Sequence, residues 1–160
     1  MPSQPNIDAT LNWPLGRLGI VMAGDAVAEI RFLDARTTPT VPDSPAAARA
    51  VAALERYIRD AKSSPDLPLA VRGTDFQRRV WRALGEIPCG VVVSYGDLAR
   101  RLGTSARAVG GACRANPVPL LVPCHRVVAQ QGLGGFSGAR GGRWLRIKRW
   151  LLDHEGVEIV

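Results

Sequence analysis

The stretch SYGDLARRLGTSARAVGGACRAN, Ser94 to Asn116, decides how the second half of this chain is read. Ser94 precedes a short helical run, Tyr95 to Leu102, that Gly103 stops, and Thr104 or Ser105 is placed to cap a second run from Ala106 to Asn116 before Pro117. Two short helices across a three-residue turn containing glycine form a helix-turn-helix pattern. The second helix consists almost entirely of Ala and Gly. Gly110 and Gly111 cost about 1 kcal/mol each in a helix interior. Arg107 and Arg114, seven residues apart, share one face. A helix that reads bases presents several polar side chains to the major groove. This one offers a thin surface and two cations, suited to phosphates and a narrow groove. The other reading is a slim helix packed closely inside the protein.

Upstream of that stretch, Thr74 or Asp75 caps a helix whose Phe76, Val80, Trp81 and Leu84 form one stripe, ending by Pro88. Residues 1–73 read as an α/β scaffold. LGRLGIVMAG and AVAEIRFLD form two strands around the turn Ala23-Gly24-Asp25. SPAAARAVAALERYIRDAKSS forms a helix with Ser44 at its N-cap and Pro45 in its first turn. PDLPLAV is a short extended piece. The expected fold is therefore an α/β N-terminal domain, 1–73, with a small antiparallel sheet and a helix. A mostly helical domain, 74–160, with a helix-turn-helix follows it.

Charge divides along the same line. Residues 1–74 hold eight Lys or Arg and eight Asp or Glu, whereas residues 75–160 hold thirteen basic and six acidic. The whole net charge of +7 lies in the second half, which points to a polyanionic partner, most simply nucleic acid, or to a solubilising basic face. At 160 residues and 46% hydrophobic the chain can bury a core, and no apolar run is long enough for a bilayer. MPSQPNIDATLNW lacks the basic-then-apolar order of a secretory signal. Three cysteines, Cys89, Cys113 and Cys124, without a C-x-x-C pair fit reduced thiols, and two histidines make a poor metal set.

After Asn116, the run NPVPLLVPCHRVV alternates three prolines with apolar residues and reads as an extended, rigid approach to Cys124. Thiol chemistry needs the thiolate, and the neighbours His125 and Arg126 lower the cost of forming it. Adjacent residues of an extended chain point to opposite sides. A water bridge is therefore a better link between Cys124 and His125 than a direct hydrogen bond. Glu155 stands at the C-terminal end of a helix from Trp144 to His154, where a carboxylate opposes the dipole unless it has a partner or is solvated.

Taken in order, Tyr95-Gly96-Asp97-Leu98-Ala99, Arg107-Ala108-Val109-Gly110-Gly111-Ala112, Asn116-Pro117, Pro123-Cys124-His125-Arg126-Val127, Ser137-Gly138 and Trp150 to Gly156 closely resemble the O6-alkylguanine-DNA alkyltransferases. The resemblance is specific over residues 74–156. It implies that Cys124 takes the alkyl group from guanine O6, or thymine O4, in one irreversible displacement with no cofactor and no metal. His125 acts through a water as base, and Glu155 orients it. Tyr95 protonates the leaving guanine. Asn116 braces the turn to the cysteine, the backbone at Cys124 and Val127 reads the exocyclic amine, and Ser137 donates to O6. Ser94, Arg107, Gly110, Gly111 and Arg114 form the DNA contact, with Arg107 entering the stack that the flipped base has left. The implied partner is double-stranded DNA carrying O6-alkylguanine, bound through its minor groove. The implied protein is a cytoplasmic monomer, acting alone or cooperatively.

Phe136 and the basic segment Gly138 to Arg143 depart from the pattern of the family and bear on the rim of the pocket. Cys89 and Cys113 read as small apolar fillers, the four tryptophans as packing, and His154 as a surface or satisfied histidine. Three other functions compete. A non-catalytic lesion binder of the alkyltransferase-like class lacks the acceptor cysteine. A helix-turn-helix regulator fits poorly with an Ala/Gly helix. A Cys-His-Glu hydrolase leaves the basic half unexplained.

Overall fold

The computed structural model describes residues 6–134 and 142–158. The chain forms two compact units, Met1–Val71 and Arg72–Val160. In the first, β1 (Ala9–Trp13), β2 (Gly16–Ala23) and β3 (Ala26–Leu33) make an antiparallel sheet in chain order. Sequence patterning finds the β2–β3 hairpin and not β1. That strand is short and holds Ala and Asn, weak strand formers; pairing with β2, from Ala9 opposite Ile20 to Trp13 opposite Gly16, holds it. Helix α1 (Pro45–Arg59) packs an Ala-rich face, Ala46, Ala47, Ala50 and Ala53 with Leu54 and Tyr57, on β1 and β2. The Ser44 hydroxyl accepts from the Ala47 N–H at 3.1 Å and starts it. It stops at Arg59 instead of running to Ser64. The Asp60 carboxylate takes the Lys62 N–H at 3.0 Å, a local turn that competes with further helix. Leu69, in the extended piece, forms a parallel bridge to Val27 of β3.

The second unit contains α2 (Asp75–Gly85), α3 (Tyr95–Leu102), α4 (Ala106–Arg114) and α5 (Gly142–His154). Thr74 starts α2 with a reciprocal capping box to Gln77. Val80, Trp81 and Leu84 are its buried stripe, with Phe76 half-buried. The Trp81 indole N–H donates to the Ala112 carbonyl at 2.8 Å and ties α2 to α4. Ser94 and Ser105 cap α3 and α4, each accepting an N–H three residues on, and Gly103 (φ 68°) makes the left-handed turn between them. The Arg79 guanidinium caps the end of α3 by donating to the Leu102 carbonyl.

Two two-residue strands, β4 (Val93–Ser94) and β5 (Val127–Val128), pair in parallel, Val93 with Val127 and Ser94 with Val128. This pairing sets Tyr95, the first residue of α3, beside the chain that leaves Cys124-His125-Arg126. The approach to the cysteine is not extended, which corrects the reading from its prolines. The Val122 N–H returns to the Val118 carbonyl at 2.9 Å, Leu120 is left-handed at φ 74°, and Cys124–Arg126 form a single 3₁₀ turn. Asn116 is the cause. Its side chain accepts from the Val118 N–H (3.0 Å) and donates to the Val122 carbonyl (2.8 Å), folding the loop on itself.

Candidate active site

Cys124, His125 and Arg126 are all buried. Glu155, just beyond the end of α5, is buried too and its side chain is fully enclosed, so the solvated reading of this carboxylate is set aside. Its partners answer the helix-dipole problem. His125 Nε2 lies 2.9 Å from Glu155 Oε2, while Arg126 donates from Nε to Oε1 and from one terminal nitrogen to Oε2, both at 2.8 Å. The remaining terminal nitrogen of Arg126 donates to the Ile87 carbonyl at 2.6 Å. An ionised carboxylate only accepts, so the His125 proton sits on Nε2 and Nδ1 carries a lone pair. That Nδ1 is buried and has no hydrogen-bond partner among the described residues. With Nε2 committed to Glu155, a direct His125–Cys124 hydrogen bond is absent.

Arg126 faces the carboxylate. The cation that faces the thiol is Lys148, which the sequence reading did not single out. Lys148 is fully buried, donates to the Val127 carbonyl at 2.7 Å and lies 5.6 Å from the centre of the Tyr95 ring. Its signal was visible: it occupies the same stripe of α5 as Leu151 and Leu152, where an apolar residue belongs. Burial brings its ammonium down to about 8, against an opposing pull from Cys124 and Cys113.

Burial pushes the Cys124 thiol up, and an Asn116 hydrogen bond, the Lys148 cation and a backbone N–H oppose the rise. The resting site thus holds a protonated thiol. Burial also lowers His125, with Glu155 resisting and Arg126 and Lys148 reinforcing the drop, so the ring is neutral and able to accept a proton. Tyr95 is raised by burial and by both nearby cysteines, which keeps its phenol a donor. Cys113, on α4, is pushed up to about 12 by burial and by Cys124. It is more than a filler, since it shares the field of Cys124, yet it stays protonated.

The other expected residues divide. Asn116 and Val127 adjoin Cys124, although one lone pair of the Val127 carbonyl is already taken by Lys148. Ser137 and Phe136 lie outside the described residues, as does most of Gly138 to Arg143. Gly134, at φ 72°, lets the loop after β5 close on Tyr95, where a Cβ would stand 3.1 Å from the ring and 2.9 Å from the Ala129 nitrogen. Arg107 and Arg114 are exposed on α4, and a Cβ at Gly110 or Gly111 meets nothing within 4 Å. The thin face of α4 is therefore open, not packed inside the protein. Ser94 is half-buried and spends its hydroxyl oxygen on the Asp97 N–H. His154 stacks on Trp150, ring centres 4.6 Å apart. Among the described residues no group of three or more His, Cys, Asp or Glu could hold a metal, and no helix is long and apolar enough to cross a membrane.

Residues 75–157 match the family model described as 6-O-methylguanine DNA methyltransferase, DNA binding domain. Beyond this domain class, the likeness runs nearly the whole length of the chain. A methylated-DNA–protein-cysteine methyltransferase of Mycobacterium tuberculosis (strain H37Rv) is 39% identical over 153 residues, covering 91% of this chain and 90% of the relative. One from Rattus norvegicus is 37% identical over 172 residues, covering 92% and 80%. The crystal structure of Mycobacterium tuberculosis OGT in complex with DNA matches with a TM-score of 0.75 at 37% identity, over 92% of each chain. The chain belongs to the methylated-DNA–protein-cysteine methyltransferase family.

Proposed function

We propose that this protein repairs DNA by moving the alkyl group of O6-alkylguanine, and of O4-alkylthymine, onto its own Cys124. The observation that carries the reading is the pairing of a buried thiol with a neutral histidine whose Nε2 is held by Glu155 and whose Nδ1 has no partner among the described residues. A water is the natural link from Cys124 to that nitrogen. His125 takes the thiol proton through the water, and the thiolate attacks the alkyl carbon in line. The C–S bond forms as the C–O bond breaks, and the electron pair passes to the purine. Tyr95 gives the proton that makes the base neutral; the proton held by His125 restores the phenol. Lys148 favours the thiolate while it exists. No group reverses the thioether, so each molecule reacts once.

A sulfur in a buried pocket cannot reach O6 inside a stacked duplex, so the nucleotide is flipped out, at a cost of a few kcal/mol. The open face of α4 enters the minor groove, Arg107 takes the vacated place in the stack, and Arg114 meets phosphate. In this reading α3 and α4 are the helix-turn-helix, 74–160 is the domain that acts, and a monomer suffices. The M. tuberculosis relative crystallised with DNA supports DNA as the partner.

Intact-protein mass after mixing with an O6-methylguanine duplex tests it. One methylene should be gained, on the peptide holding Cys124, after which activity ceases, and Cys124→Ala should bind without gaining mass. Repeated turnover, or alkyl on Cys89 or Cys113, overturns the proposal. Binding to the lesion with no mass gain in the unaltered protein would reassign it as a lesion binder.

A further inference from the structure

Arg126 is a large cation enclosed beside a proton acceptor, and the reaction sketched above gives it no part. Its geometry is specific. The guanidinium engages both oxygens of Glu155 at 2.8 Å, and its third contact, 2.6 Å to the Ile87 carbonyl, anchors it to the chain after α2. Glu155 Oε2 thus serves two donors, Arg126 and His125 Nε2.

We infer that Arg126 is a positioning residue for the proton-accepting step, neutralising Glu155 so that His125 stays uncharged with Nδ1 open toward Cys124. The inference rests on the reading of His125 as the base for Cys124. A buried carboxylate with only a histidine beside it favours the imidazolium, because the opposite charge stabilises the protonated ring. Such a ring carries a proton on Nδ1 and can accept nothing. With Arg126 bound, the set Arg126–Glu155–His125 already sums to zero charge, and a further proton has no carboxylate left to compensate it. The groups acting on the ring are Glu155 from the end of α5, Lys148 from the body of α5, and Arg126 from its own turn. Among the described residues only Glu155 favours charging it, and Arg126 holds Glu155 on both oxygens. Arginine suits the task because it keeps its charge at any working pH and its planar fork fixes the carboxylate plane. That plane in turn aims Nε2 and leaves Nδ1 where it is.

The test uses the whole protein with labelled histidine. His125 and His154 are the chain's two histidines, so ring titrations by NMR are assignable. Rates of alkylation by free O6-benzylguanine are followed against pH alongside. Arg126→Met should raise the His125 midpoint by at least about one pH unit. The acid limb of the rate should move up equally, giving a loss that reaches roughly tenfold below the lower midpoint and recovery at higher pH. Arg126→Lys should shift both by less, and Arg126→Met with Glu155→Gln should remove the upward shift. A merely structural arginine would instead lower the rate at every pH. An unmoved His125 midpoint in folded Arg126→Met overturns the inference, and so does a pH-independent loss. If Arg126→Met does not fold, an unmoved midpoint in Arg126→Lys does the same. A raised midpoint with no acid limb following it would sink the base role of His125 while leaving Arg126's control of the ring charge standing.

Discussion

Lys148 and Arg126 divide the labour that the bare sequence assigned to one cation. Lys148 lies by the Tyr95 ring and favours the Cys124 thiolate, and Arg126 neutralises the carboxylate behind the histidine. Lys148→Met should therefore slow alkylation by free O6-benzylguanine about tenfold, the value of one unit in the thiol equilibrium. In the unaltered protein, Lys148 loses its proton near pH 8, so its help to the thiolate fades above that value. Single-turnover rates from pH 6 to about pH 10 should show a component of the rate declining near 8 that Lys148→Met lacks. A Met variant as fast as the parent would exclude this role. His125 acts on stability as well. Its folded value lies below the unfolded 6.5, so the unfolded chain binds the extra proton. This contribution is complete above about pH 6.5 and is lost as pH falls below it. Urea midpoints across pH 5 to 7 should drop on the acid side, and less so in His125→Gln.

Helix α4 carries a conflict between stability and binding that makes it easy to probe. Gly110 and Gly111 have open space where a Cβ would stand. Each Gly→Ala change should therefore raise stability by up to about 1 kcal/mol, read as a higher urea midpoint. On the proposed minor-groove contact the same methyls thicken the binding face, so affinity for duplex DNA should fall while the rate with free base holds. Stabilisation without loss of binding would move the contact to another face. Arg107 and Arg114 can be separated in the same assay. Arg107→Ala should slow transfer from duplex DNA and spare the free base, which needs no extrusion. Arg114→Ala should weaken binding and leave the rate at saturating DNA intact. Identical behaviour of the two variants would reduce both to surface charges.

Charge is distributed so that residues 75–160, which include the cysteine, also bear the entire net +7 of the chain. Binding to unmodified duplexes should weaken steeply with salt, log K falling by about 0.9 per phosphate neutralised per decade. It should vary little with base sequence, since the exposed side of α4 has few groups able to read base edges. Titrations by fluorescence anisotropy at several salt concentrations, on unrelated duplexes, check both parts. A strongly preferred sequence would favour a regulator over a repair protein.

Much of this molecule was legible in one dimension because its signals are local. Ser44, Thr74, Ser94 and Ser105 mark helix starts through side chains that reach only three residues on, and Gly103 marks a left-handed turn by itself. The Pro123-Cys124-His125-Arg126 block and the slim helix pointed to the family for the same reason. Strand β1 was hidden because its stability comes from β2 across a turn, not from its own residues. The shape of the approach to Cys124 was misread because proline favours extension locally, while Asn116 bends the loop by hydrogen bonds to Val118 and Val122. The assignment of cations was beyond the sequence altogether. Arg126 stands two residues from Cys124 and serves Glu155, and Lys148 stands 24 residues away in chain numbering and serves the thiol. Adjacency along the chain decides which groups are tethered. Burial decides which charges must find one another, and that follows only from how α5 lies against the turn of Cys124.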